Sequence, residues 1–131
     1  MSIEAAALGR DPAPGRTVLL VEDEVLVRIA LADELRDMGL AVLEASTADE
    51  ALRILQAAVP IDLVLTDVHM PGSLDGLGLA ARLRVDHPGV KVVVASGHLP
   101  ADVAARHDLD GFFEKPFAFA TLARQLRDML G

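Results

Sequence analysis

From Thr17 onward the sequence predicts a doubly wound α/β fold, a parallel sheet with helices on both faces. Three observations carry that reading. Short β-branched or aliphatic blocks alternate with amphipathic stretches at close to 3.6-residue spacing. Gly, Pro and helix-cap residues sit at the junctions. The alternation repeats five times, which suits a sheet whose strands are joined by crossover helices.

The first strand is expected at residues 17–21, followed by a helix at 25–38. Leu26, Ile29, Ala30, Leu35 and Met38 supply its apolar positions, and Gly39 ends it. A second strand at 41–45 leads to Thr47 as N-cap. Glu50, three residues on, completes a capping box for a helix through Ala58. The third strand, 63–66, lies between Pro60 and the turn-rich Pro71, Gly72 and Ser73; the third helix, 76–86, stops before Pro88. Residues 90–95 form the most β-branched block, uncharged after Lys91, and belong in the sheet interior. A short helix at 100–106, a strand at 111–114 and a helix at 117–130 complete the fifth unit. Residues 1–16, with Gly9, Pro12, Pro14 and Gly15, offer no apolar face and read as a flexible tail, leaving 17–131 as the domain.

The 131 residues suit one domain burying roughly two-thirds of its unfolded surface. Although 52% of residues are hydrophobic, no apolar run approaches the ~18 that a membrane span needs. The N-terminus lacks the basic start and apolar middle of a signal peptide, and no cysteine is present, so a cytoplasmic location is expected. Twenty acidic residues against twelve basic ones give a net charge of −8, which repels nucleic acid and anionic membranes.

Ligands of open parallel sheets bind at the carboxyl ends of the strands. Those ends carry Glu22 and Asp23 after the first strand, Asp67 after the third, Ser96 after the fourth and Lys115 after the fifth. Clustered carboxylates repel one another unless a cation sits among them, and Mg²⁺ takes carboxylate and phosphate oxygens together. A carboxylate can itself attack a phosphoryl group, and Lys115 with the Ser96 hydroxyl would bind the transferred oxygens. Each residue alone has a plainer reading. Acids favour a helix N-terminus, Asp67 suits a turn, Lys115 suits a surface, and Ser before Gly is ordinary turn chemistry.

Taken together, LLVEDE at 19–24, TDVHMPG at 66–72, DG at 75–76, ASG at 95–97 and EKPF at 114–117 closely resemble the response-regulator receiver domain, over about residues 17–130. The resemblance implies a flavodoxin-like five-stranded sheet of order 2-1-3-4-5. It implies Asp67 as phosphoacceptor, Asp23 and Asp67 as direct Mg²⁺ ligands, Glu22 acting through water, and the His69 main-chain carbonyl as a further ligand. Lys115, before a cis bond to Pro116, would pair with the phosphoryl group, and Ser96 with Phe112 would form the switch pair. A sensor histidine kinase or histidine phosphotransfer protein would be the donor. Beyond self-catalysed transfer and dephosphorylation, no enzyme activity is implied.

Two departures bear on this expectation: GSLDG after Pro71 is one residue longer than usual, and the chain between Ser96 and Phe112 is a few residues shorter, leaving a short fourth helix. A haloacid-dehalogenase-like phosphohydrolase would need an acid two residues after Asp67, where His69 stands. A nucleotide- or flavin-binding module would need a glycine-rich first loop, and this one is acidic. An unphosphorylated receiver-like scaffold is the remaining alternative. His69 and His98 fall in loops beside the site and are expected to affect phospho-Asp67 lifetime. His87 reads as a helix end and His107 as a solvated loop residue. Met1 and the tail favour a stand-alone protein whose output is contact with a downstream protein partner.

Overall fold

A computed structural model describes residues 16–97 and 99–131; the expected tail, apart from Arg16, and His98 lie outside the described residues. Its elements are β1 (Thr17–Val21), α1 (Val25–Asp37), β2 (Ala41–Ala45), α2 (Ala48–Gln56), β3 (Leu63–Asp67), α3 (Gly76–Asp86), β4 (Lys91–Ser96), α4 (Ala101–Arg106), β5 (Gly111–Glu114) and α5 (Phe119–Met129). The strands form one parallel sheet of order β2-β1-β3-β4-β5, as the family resemblance implies.

Strand periodicity divides the core into two layers. Val18 and Leu20 of β1, Leu63 and Leu65 of β3 and Val93 of β4 face α1 and α5. Leu19, Val21, Val64, Val92 and Val94 face α2 and α3. The central strand β3 is buried throughout, consistent with a strand covered on both faces.

The buried stripe of α1 differs from expectation. Leu35 is buried and Met38 packs beside it, but Leu26 is 81% and Ile29 47% exposed, and Ala30 faces solvent. The core side is instead Leu31, Ala32 and Leu35. Extending that stripe one turn back reaches Arg28, a charged residue that hid the register from a purely apolar reading. Gly39 follows the Met38 cap with φ +88°, the left-handed position that favours glycine.

At α2, Thr47 Oγ1 accepts from Glu50 N at 3.1 Å, as a capping residue should. Glu50 does not return the bond to Thr47. Its carboxylate accepts from Ser46 N at 2.6 Å and Ser46 Oγ at 3.1 Å, one residue further out. The bond from Ser46 N is the main cause holding the Glu50 carboxyl below its usual range. The helix stops at Gln56, and Ala58, expected inside it, lies at φ 60°. Asp75 caps α3 by accepting from Gly78 N at 2.8 Å. Helix α4 has only six residues, and among its described side chains none belongs to either buried core layer. Next to it, His107 is half-buried, with Nδ1 2.9 Å from the Val103 carbonyl, rather than solvated.

Asp110 fastens the approach to β5. Its carboxylate accepts from Val92 N at 2.7 Å and pairs with Arg84 Nη2 at 2.6 Å, while Arg84 also donates to the Asp108 carbonyl. Burial pushes the Asp110 pKa up, but the Val92 N–H and the charges of Arg84 and Lys91 outweigh it, so the net shift is downward. A depressed carboxylate stabilises the fold above its unfolded pKa and loses that contribution as pH falls through the folded value. Asp110→Ala is expected to cost about 1–2 kcal/mol at pH 7 by orphaning Val92 N–H. The gap from the parent should narrow below about pH 4. Urea denaturation at pH 7 and pH 3 checks this, and an undiminished gap at pH 3 contradicts it.

Candidate functional site

Parallel strands deliver their carboxyl ends to one rim, and the register sets what meets there. Asp67 pairs with Ala95 and Ser96 with Glu114, while Val21, just before the acids, pairs with Thr66. Glu22 is 6%, Asp67 9% and Ser96 0% exposed, whereas Asp23 is open to solvent. Carboxylate oxygens of Glu22, Asp23 and Asp67 all lie within 4.8 Å of one another.

Both oxygens of Asp67 are engaged. Lys115 Nζ lies 2.6 Å from Oδ2, and His69 N donates to Oδ1 at 3.3 Å. Lys115 is also 4.0 Å from Glu22 Oε1, and its backbone N–H donates to the Ser96 carbonyl at 2.8 Å, tying the end of β5 to the end of β4. The Lys115–Pro116 peptide is cis.

Two pKa directions describe the electrostatics. Burial pushes the Glu22 carboxyl up, and the Asp67 charge adds to this against the opposing bond from Glu24 N. For Lys115, burial acts downward, but the bond and charge of Asp67 prevail and keep the ammonium protonated. Three acids facing one lysine leave excess negative charge on hard oxygen donors, a set that fits Mg²⁺.

Phe112 pairs with Val94 across β4 and packs, partly buried, on the α2–α3 layer. Ser96, two residues beyond Val94, projects from the same face of the sheet.

Residues 18–127 match the response regulator receiver domain family. The chain belongs to that family. Receiver domains are regulatory switches of two-component signalling; they work with histidine kinases or phosphotransfer proteins and bind Mg²⁺ at an acidic pocket. This receiver is 38% identical over 129 residues to sensor kinase CckA of Brucella abortus, matching 92% of this chain but 13% of that protein. It therefore spans about an eighth of that relative. The solved receiver domain of NtrX from Brucella abortus is 35% identical with TM-score 0.75, covering 86% of this chain and 96% of that one. TrrA of Thermotoga maritima, solved in complex with Mg²⁺-BeF, is 27% identical with TM-score 0.77, covering 88% and 99%. No helix among the described residues is long and apolar enough to cross a membrane.

Beside the site lies a feature the sequence reading passed over. Phe117 stacks at a tilt against Phe113 and Phe119, with centroids 6.2 and 5.9 Å away. With Pro116, Val27, Glu24 and Lys115, Phe117 and Phe119 line a groove of about 420 Å³. All four phenylalanines fall within residues 112–119, a clustering visible in the sequence.

Proposed function

We propose that Asp67 accepts a phosphoryl group from a phosphohistidine donor, or from a small phosphodonor, with Mg²⁺ as cofactor. The observation that carries this reading is the Glu22, Asp23 and Asp67 cluster with Lys115 bonded to Asp67. An Asp67 carboxylate oxygen attacks phosphorus, the P–N bond breaks, and its electron pair leaves on the imidazole, which takes a proton from solvent. Asp23 and Asp67 would hold the metal directly, Glu22 through water, and the His69 carbonyl would complete the protein donors. Bound Mg²⁺ would offset the repulsion between these acids and the phosphoryl oxygens. The Lys115 ammonium and Ser96 hydroxyl engage the transferred oxygens. Catalysis beyond self-catalysed transfer and autodephosphorylation is not part of this reading.

The donor's landing surface takes in the exposed apolar residues of α1, Val25, Leu26 and Ile29, and the groove at Phe117 and Phe119. Val25 is two residues from Asp23 and Phe117 two from Lys115, so a protein seated there can present its histidine to Asp67. Output is a protein contact in the cytoplasm, through the face of α4, β5 and α5. Ser96 and Phe112 carry the change to that face, and a partner reads the shifted population.

Incubation with phosphoramidate, followed by intact-mass and peptide analysis, tests the assignment. One phosphoryl group on Asp67 with Mg²⁺, and none in chelator, is the expected result; full labelling in chelator, or labelling elsewhere, overturns it. A second measurement concerns His69, an exposed residue whose backbone N–H donates to the acceptor carboxylate. His69→Ala is expected to open the path for water and speed hydrolysis of phospho-Asp67 more than twofold. A change below about twofold, less than ~0.5 kcal/mol of barrier, makes the imidazole a bystander.

A further inference from the structure

We infer that Arg28 is a positioning residue for the acid pair, fixing the peptide that joins Glu22 to Asp23 in the geometry that binds the metal. The inference rests on the Mg²⁺ reading of that cluster.

The Glu22 backbone is held from both sides. Its N–H donates to the Ala45 carbonyl at 3.0 Å, at the end of β2. Its carbonyl, which belongs to the peptide between the two acids, accepts from Arg28 Nη1 at 2.9 Å. Rotation of that peptide would redirect both carboxylates at once.

The guanidinium is fixed in turn. Arg28 Nε donates to Glu44 Oε1 at 3.3 Å, and Glu44 Oε2 accepts from Arg36 Nη2 at 3.1 Å. Arg36 also donates to the Val42 carbonyl at 3.0 Å. Arg28 is thus a planar fork, 18% exposed, with Glu44 on one tine and the Glu22 carbonyl on another. A lysine has one nitrogen and cannot serve both sites in that geometry.

Charge and position make opposite demands here, which gives the inference a sign. A cation near a metal site repels the metal, so if Arg28 acted by charge alone its removal would tighten Mg²⁺ binding. If it acts by holding the peptide, removal weakens binding, on the scale of about 10-fold or more typical of groups that orient metal ligands.

The test is an amide chemical-shift titration of the full chain with MgCl₂, for the parent, Arg28→Ala, Arg28→Lys and Glu44→Gln. Arg28→Ala is expected to raise the Mg²⁺ dissociation constant about 10-fold. Arg28→Lys, which keeps the charge and loses the fork, should raise it by at least about threefold. Glu44→Gln still accepts from Arg28 and should stay within about threefold. Melting in chelator, run in parallel, registers any general loss of stability. An unchanged or tighter constant in Arg28→Ala overturns the inference, as does a Glu44→Gln shift matching that of Arg28→Ala. Where Arg28→Ala fails to fold, the Arg28→Lys constant decides by the same sign. A parent that takes up no Mg²⁺ overturns the metal reading itself, and this inference with it.

Discussion

Asp67→Asn is expected to stop phosphoryl uptake, a loss of at least about 10³-fold, equivalent to about 4 kcal/mol of activation barrier. The substitution removes the nucleophile's charge while nearly preserving its volume. It also takes from Lys115 the carboxylate that sits 2.6 Å from its ammonium. Stability should move little, because the lost ion pair is offset by relief of repulsion among Glu22, Asp23 and Asp67. In chelator, the variant should melt within about 5 °C of the parent, roughly 1 kcal/mol for a domain of this size. Phosphate-affinity gels with phosphoramidate and Mg²⁺ supply the activity side. Labelling equal to the parent removes Asp67 from the acceptor role. Loss of labelling together with loss of the fold would mean that the residue is structural.

Sequence alone placed most of the fold and of the acid cluster, for a local reason. Asp67 and Ser96 end their strands, Glu22 and Lys115 follow directly on theirs and Asp23 comes one residue later, and parallel strands send all such positions to one rim. What sequence could not show depended on contacts between elements. The apolar residues Leu26 and Ile29 suggest a core stripe as readily as Leu31 and Leu35 do. Only the docking of α1 beside α5 and β2 selects the second set, leaving the first for solvent. Glu50 fits a capping box by spacing, yet Ser46 presents both N–H and hydroxyl to it, and two donors outcompete one. Arg28 reads as an ordinary helix arginine until β2 brings Glu44 beside it. The Phe113, Phe117 and Phe119 cluster was legible as a local run of aromatics. Its place beside Lys115 and Val27 required the return of the chain after β5.

Gly76→Ala is expected to destabilise the domain by about 3 kcal/mol, at the upper end of what an added methyl costs in a packed site. A Cβ at Gly76 would lie 2.0 Å from the Asp67 carbonyl oxygen, 2.8 Å from its carbonyl carbon and 2.9 Å from the Val68 Cα. All three are backbone atoms, so no side-chain rotation relieves the overlap. The closeness has a purpose in the fold. Gly76 N donates to the Val68 carbonyl at 2.9 Å, seating the first turn of α3 on the turn that follows β3, and Thr66 Oγ1 donates to the same Asp67 carbonyl at 3.0 Å. A methyl group there must push α3 away or displace the acceptor's backbone. Gly78 offers the control two residues on. Its Cβ would meet Leu74 Cδ1 at 2.5 Å, the far end of a flexible side chain that can turn aside. Alanine in a helix also gains about 1 kcal/mol over glycine, so Gly78→Ala should be close to neutral. Urea denaturation of both variants in chelator measures the difference, and phosphoramidate labelling of whatever Gly76→Ala remains folded should be slowed as well. A Gly76→Ala loss under about 1 kcal/mol, or an equal loss in Gly78→Ala, would show that the acceptor turn yields where the geometry says it cannot.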